Sequence, residues 1–296
     1  ANGVLSLDIG QAESSATQAG QSLHRDNSGV WQPAATASFG ACYGQTPPPP
    51  SNTITFSGRT SADPALPVGF EDQLFATVRD PQGQVITTTI TWVSETPAVA
   101  SIDANGVVHA LSVGTYRVRA TAADGITTAT YTLDTQLATA GGTAVYGNNI
   151  EFGVPADGDA SDDILVARAQ FTSSFNPARG IPNWVSYNLE ATHIGTQDRC
   201  DCFTYDPALP SSLPRYTTAD YTGAGTFAGY GIDRGHLARS FDRSTGLLDN
   251  ASTFYFSNII PQAADNNQGP WAALENFLGD EARFQNREVY VIAGAA

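Results

Sequence analysis

Methionine is missing from the 296 residues, and because all 14 basic residues are arginine, lysine is missing too. A chain without Met, position 1 included, is expected to be a processed piece of a longer product. No run approaches about eighteen apolar residues, which excludes a transmembrane helix. The opening ANGVLSLDIG has neither the basic start nor the long apolar stretch of a signal peptide. Charge is scarce and one-sided, with 15% charged residues, 29 acidic against 14 basic, and a net charge of −15. Such a balance argues against nucleic acid as a partner, because phosphate is held mainly by Lys and Arg. Only a specific constellation can outweigh it. Cysteine is sparse as well. Cys42, Cys200 and Cys202 are too few for a disulfide scaffold, and the CxC spacing lacks the second pair of a zinc site. Cys200 and Cys202 are expected to pair with distant partners, one of them Cys42, or to stay free.

What is present is 28 Gly, 17 Pro and 41% hydrophobic residues, which suits two or three packed β-rich units. GQTPPPPSNT, residues 44–53, favours an extended polyproline linker. Residues 1–43 hold short alternating runs (LSLDIG, SLHRDNSGVW, SFGACYG), too little for a core of their own. Their SLHRDNSGVWQPAA resembles the closing strands of a lamin-tail-type immunoglobulin-like domain; a tail without structure is the competing expectation. Residues 53–134 alternate with period two in QLFATVRD, TTTITWVS, GTYRVRATA and TATYTL, with turns at DPQGQ, DANG and ADG. That pattern predicts an all-β antiparallel sandwich of about seven strands. The segment, with Trp92, Pro97, Ala100, Asn105-Gly106 and Gly114, is similar to bacterial group 2 immunoglobulin-like domains. The resemblance implies a spacer or adhesive module, contact with a cell surface or matrix, and a secreted or surface-attached bacterial protein. Phe75, Trp92 and Tyr116 are expected in its core, and His109 on a strand without a partner.

Residues 135–144 are small and polar and read as a second linker, so that the last unit spans 145–296. ILVARAQFTSSFN and NWVSYNLE are predicted strands. Trp271, Leu274 and Leu278 mark a helix after Pro270 that breaks at Gly279-Asp280, and REVYVIAG should be a central strand. Four clusters carry the chemistry: RCDCFTYD with Arg199, Asp201 and Asp206; DRGH with Asp233, Arg234 and His236; FSNIIPQ with Asn258; and DNNQGPWAALE with Asn266, Asn267 and Glu275. A His after Gly at a turn is expected to be accessible, to titrate near neutrality and to take a proton from water. Asn267 offers a hard neutral oxygen that suits Mg²⁺ when water and phosphate fill the other positions. Arg199 can pair with a phosphate. Eight residues on one helix separate Asn267 from Glu275 by roughly 12 Å, so Glu275 would act through water or fix Arg199. Hydrolysis of a phosphodiester is the reaction this set suits, with His236 as base.

In these motifs, and from YGNNIEFG through to VYVIAG, the chain resembles the DNA/RNA non-specific endonucleases with a ββα-metal finger, the Serratia nuclease and endonuclease G type. The resemblance implies an α+β nuclease domain that cleaves DNA and RNA and leaves 5′-phosphates. It makes His236 the general base, Asn267 the sole direct protein ligand of Mg²⁺ (Mn²⁺ as a substitute), Glu275 a ligand through water, and Arg199 the stabiliser of the transition state. Arg234 and Arg239 are the substrate-binding candidates, with a structural ion pair as the other reading of Arg234. Family members continue past VYVIAG, so the domain is expected to be truncated. Residues 141–296 carry 18 acidic residues against 9 Arg, but Arg199, Arg234, Arg239 and Arg243 lie near the motifs and could form a local positive groove. Asp233 is expected to hold its turn, Asn258 and Asn266 to cap, Phe203, Phe256 and Trp271 to be core, and His24 and His193 to lie outside the site. The rival class is an adhesion protein with a vestigial nuclease-like domain.

Overall fold

The structure, a computed structural model, describes residues 21–25, 28–36, 51–141, 145–156 and 158–295. Cys42, the LSLDIG and SFGACYG segments and residues 44–50 of the proline-rich stretch lie outside the described residues. Two compact units are present, residues 1–52 and 53–296. In the first, Gln21–Arg25 and Trp31–Thr36 pair as an antiparallel hairpin. Arg25 Nε closes its turn by donating to the Gly29 carbonyl at 2.9 Å.

The second unit begins with ten short strands in three sheets. Gly114–Ala122 pairs along its length with Thr128–Gln136, and on its other side with Ile90–Ser94. Period two is realised literally in GTYRVRATA: Tyr116, Val118, Ala120 and Ala122 are buried while Arg117 and Arg119 face out. One pairing departs from the antiparallel expectation, since Leu66–Pro67 runs parallel to Thr135–Gln136. Trp92 packs against the core, Tyr116 lies in it, and Phe75 is half-buried. His109 does have a partner, with Nδ1 3.0 Å from Glu71 Oε1.

From residue 160 onward, a four-stranded antiparallel sheet runs in the order Ile164–Ala167, Thr172–Asn176, Ile181–Leu189, Val289–Gly294. The apolar VYVIAG strand is therefore an edge strand among the described residues, not a central one, and Ile292 is exposed. The strand buried along most of its length is Ile181–Leu189, covered where Phe171, Leu237 and Ala282 converge. Beside this sheet stands a two-stranded hairpin, Ile232–His236 with Ile259–Ala263, followed by the helix Ala272–Gln285. That helix runs straight through Gly279-Asp280, where a break was expected, and ends at Asn286 in the left-handed region. Gly279 is buried inside the helix, where a Cβ would meet Arg239 and Asp242 at ordinary contact distance, so it marks no termination.

The two domains share one core. Leu66, Phe70 and Leu74 of the immunoglobulin-like segment cluster with Phe203, Phe254 and Tyr255, and the Phe70 and Tyr255 rings stack at 5.2 Å. Glu71 N donates to Thr204 Oγ1 at 2.9 Å, the Glu71 carboxylate pairs with Arg215, and Arg59 donates to the Cys200 carbonyl. The spacer reading is thereby corrected, because apolar surface and buried polar contacts weld the module to its neighbour. Residues 135–141 are likewise no free linker. Residues 135–136 finish the last strand, Leu248 N donates to the Thr139 carbonyl at 2.9 Å, and Gly141 N to Asp249 Oδ2 at 2.7 Å. A shared core predicts one cooperative unfolding transition for residues 53–296. Phe70→Ala should destabilise both segments together by about 3–5 kcal/mol. Calorimetry that resolved two transitions, with only the first displaced, would refute the shared core.

Candidate active site

His236 ends the strand Ile232–His236, opposite Ile259. The preceding Gly235 is demanded by its neighbour, because a Cβ there would come within 2.7 Å of Gln262 Cβ. Contrary to the expectation of an accessible turn residue, His236 is only 7% exposed. Its ring lies 4.7 Å from that of Phe254 and 5.6 Å from that of Phe203, and Nε2 is buried without a protein partner. Burial, together with the guanidinium groups of Arg199 and Arg234, holds its pKa well below the usual histidine value. At neutral pH the imidazole is uncharged and free to accept a proton. Asn258 secures the chain that follows: its Oδ1 accepts from Ala238 N, and its Nδ2 donates to the carbonyls of Ala238 and Thr253 at 2.8 and 2.7 Å.

Asn267 and Glu275 do not lie on one regular helix. Between them Asn267–Trp271 forms a wider turn, with Gly269 at φ −109° and ψ −106°, and regular helix starts at Ala272. Asn267 Nδ2 donates to Asp233 Oδ2 at 2.9 Å, and Gln268 Nε2 donates to the same oxygen at 2.8 Å. Asp233 thus does more than hold its own strand, since it turns the amide of Asn267 so that the carbonyl oxygen is left to accept. Burial raises the Glu275 carboxyl pKa to about 7 against the lowering pull of Arg239. Trp271 is half-buried, and its Nε1 donates to the His236 carbonyl at 3.2 Å.

Arg199 sits on a loop closed by a Cys200–Cys202 disulfide. This corrects the expected distant pairing: Asp201, at φ 49°, folds the chain back so that the two Cα atoms lie 5.2 Å apart, within bridging reach. Arg199 Nε donates to Asp201 Oδ1 at 2.7 Å and one terminal nitrogen donates to Ser240 Oγ at 3.0 Å. Arg234 Cζ lies over the Phe203 ring, 3.8 Å from its centroid, and the guanidinium donates to Thr218 Oγ1 at 2.8 Å. Arg239 donates to Asn276 Oδ1 at 2.8 Å. Arg243 leaves the expected positive groove. It is fully buried and donates to the carbonyls of Gln170, Asp242 and Asn188, which makes it a structural tie. Asp206 is buried too, paired with Arg168 and accepting from Ser257. His193 is buried and satisfied by Glu190 N and the Val145 carbonyl, well apart from the site.

A cavity of about 450 Å³ brings together Arg199, Arg234, His236, Arg239, Asn267 and Glu275. Gln197, Ser240 and Gln268 also line it; they were not singled out in the sequence, where nothing but proximity to the motifs marks them. No group of three or more His, Cys, Asp or Glu converges among the described residues. One amide oxygen, with a carboxylate on the same wall, fits a hard divalent cation that keeps most of its water.

The DNA/RNA non-specific endonuclease family model matches residues 147–296, and that of the bacterial Ig-like domain (group 2) matches 55–133. The chain is 38% identical over 133 residues to a nuclease of Nostoc sp., covering 45% of this chain and 46% of the relative. It is 35% identical over 129 residues to a nuclease of Serratia marcescens, covering 44% and 46%. To the human mitochondrial nuclease EXOG it is 34% identical over 124 residues, covering 41% and 31%. The chain therefore spans about half or less of the length of these relatives. A crystal structure of an EndoG/EndoGI complex aligns with a TM-score of 0.41 and 24% identity, over 49% of this chain and 56% of that one. Asp233→Ala should free the Asn267 amide and weaken Mn²⁺ binding about tenfold, as for other groups that orient a ligand. Titration followed by electron paramagnetic resonance reads this directly, and an unchanged affinity would refute the orienting role.

Proposed function

The chain belongs to the DNA/RNA non-specific endonuclease family, and from that premise we propose that it hydrolyses phosphodiester bonds of both DNA and RNA with one divalent cation, Mg²⁺ or its substitute Mn²⁺, leaving 5′-phosphates. The observation that carries the reading is the single cavity onto which Arg199, His236, Asn267 and Glu275 converge from separate stretches of sequence. Each role follows from its surroundings. Uncharged, in a pocket walled by two aromatic rings, His236 takes the proton of the attacking water. Arg199, held by Asp201 and Ser240, offers its guanidinium to the charge that builds on the phosphate. Arg234 and Arg239 bind flanking phosphate oxygens. Asn267 would hold the cation directly and Glu275 through water, and the cation would supply charge stabilisation at the reacting phosphate. A disulfide beside the site and the group 2 immunoglobulin-like segment support an extracellular setting.

The test is digestion of supercoiled plasmid and of RNA with Mg²⁺ or EDTA, beside His236→Ala. Cation-dependent loss of both substrates is expected, reduced by about 10²–10⁴-fold in the variant, the usual share of a general base. Near wild-type cleavage by His236→Ala would sink the assignment. The two pKa shifts run in opposite directions, but both protonations remove function as pH falls. Since the His236 pKa is depressed, the base stays available down to pH values below 6.5, and at saturating cation the acid limb of the rate should lie there. The Glu275 pKa is raised to about 7, so its carboxyl is protonated below that pH and cation affinity should fall as pH drops through 7. Glu275→Gln should flatten that dependence; if affinity in the variant still changed with pH, another group would be responsible.

A further inference from the structure

The cleft does not stop at the catalytic cavity. A second cavity of about 580 Å³ shares Arg199, Arg234 and Asn267 with it, and a third of about 500 Å³ shares Phe75, Asp201, Phe203 and Arg234 with the second. The far wall of the third belongs to the immunoglobulin-like module, through Ser57, Arg59, Asp72, Gln73 and Phe75. Three of these residues hold buried polar atoms that the protein leaves without a partner: Arg59 Nε, Asp72 Oδ2 and Gln73 Oε1. Unsatisfied buried donors and acceptors are costly and call for a ligand or water.

We propose that this third cavity is a nucleobase subsite that takes an unpaired base flanking the scissile phosphate, so that the immunoglobulin-like module takes part in binding single-stranded nucleic acid. The proposal rests on the nuclease reading for the identity of the chain that enters. A mixed set of donor and acceptors suits the edge of a base, which presents both. Phosphate is disfavoured there, because three carboxylates, Asp63, Asp72 and Asp201, outnumber Arg59 and Arg234 on the walls. Phe75 supplies a half-buried aromatic surface, and the Arg234 guanidinium, over the Phe203 ring, a planar cationic one. A base locked in a duplex would have to leave its stack and its partner to enter such a cavity, whereas an unpaired base enters without that cost.

The experiment measures binding rather than turnover. The His236→Ala protein in EDTA is titrated into a fluorescent single-stranded octanucleotide and into a hairpin duplex, alone and with Ser57→Trp or Phe75→Ala added. Ser57 lies exposed at a strand end, so a tryptophan there fills the cavity without touching the core. Each addition should weaken octanucleotide binding about tenfold, the scale of one lost base stack, and duplex binding by less than about twofold. Unchanged octanucleotide affinity, or equal losses on both probes, would overturn the subsite and leave a water-filled seam. If Phe75→Ala fails to fold, Ser57→Trp decides alone. Binding of the octanucleotide in this way, with no cleavage of plasmid or RNA by the wild-type protein in Mg²⁺, would sink the hydrolase reading while the subsite stands.

Discussion

The site is built around one dry imidazole held uncharged beside two guanidinium groups. Desolvation and the Arg199 and Arg234 charges act on His236 in the same sense, so its neutral form is secured by burial and repulsion together. That arrangement needs the faces of the ring covered and the chain carrying it fixed, while its edge stays open to the cavity. Phe203 and Phe254 are the walls. Asn258 clamps Ala238, and Trp271 holds the His236 carbonyl, so the strand end has no freedom to let water under the ring.

Those walls lead to the second domain. Phe203 and Phe254 belong to the same apolar cluster as Leu66, Phe70 and Leu74, so the surface that dries His236 is continuous with the core of the immunoglobulin-like segment. The Cys200–Cys202 loop is gripped from both sides, by the Asn250 side chain at Cys200 N and by Arg59 at the Cys200 carbonyl. Position of Arg199 therefore depends on residues 140 positions away in sequence. A module that reads from its own pattern as a self-contained sandwich is, in the folded protein, a buttress of the neighbouring site.

How much of this was legible follows from the range of each signal. Strand alternation and the reactive clusters are local: Gly114–Ala122 shows the expected alternation, and Arg199, His236, Asn267 and Glu275, read from separate clusters, line one cavity. Burial is not local. Arg243 and His236 look like surface groups until the carbonyls of Gln170 and Asn188, or the rings of Phe203 and Phe254, are brought to them by the fold. Gly279 reads as a helix stop from its type alone, whereas in the fold it is buried in the middle of Ala272–Gln285. The CxC bridge depends on one positive φ at Asp201, a backbone choice that residue type only weakly announces. The docking of the module escaped for a similar reason: a face that buries Phe70 against Tyr255 carries the same alternation as one that closes its own sandwich.

Electrostatics then decides how such a protein can hold a polyanion. With a net charge of −15, the long-range field repels nucleic acid, and much of the arginine is already spent. Arg168, Arg215 and Arg287 sit in ion pairs and Arg243 is sealed in the core. The cavity itself holds Arg199, Arg234 and Arg239, the first paired with Asp201 and the last with Asp242, too few for binding that relies on displaced counterions alone. On the proposed reading, affinity would come from short-range contacts instead: a cation that Asn267 would hold, guanidinium groups at the reacting phosphate, and hydrogen bonds and ring faces for the base beside it. A cleft that runs on from the catalytic cavity to the half-buried Phe75 and the unpaired buried atoms of Arg59, Asp72 and Gln73 provides contacts of that kind, and they do not weaken with salt as phosphate contacts do.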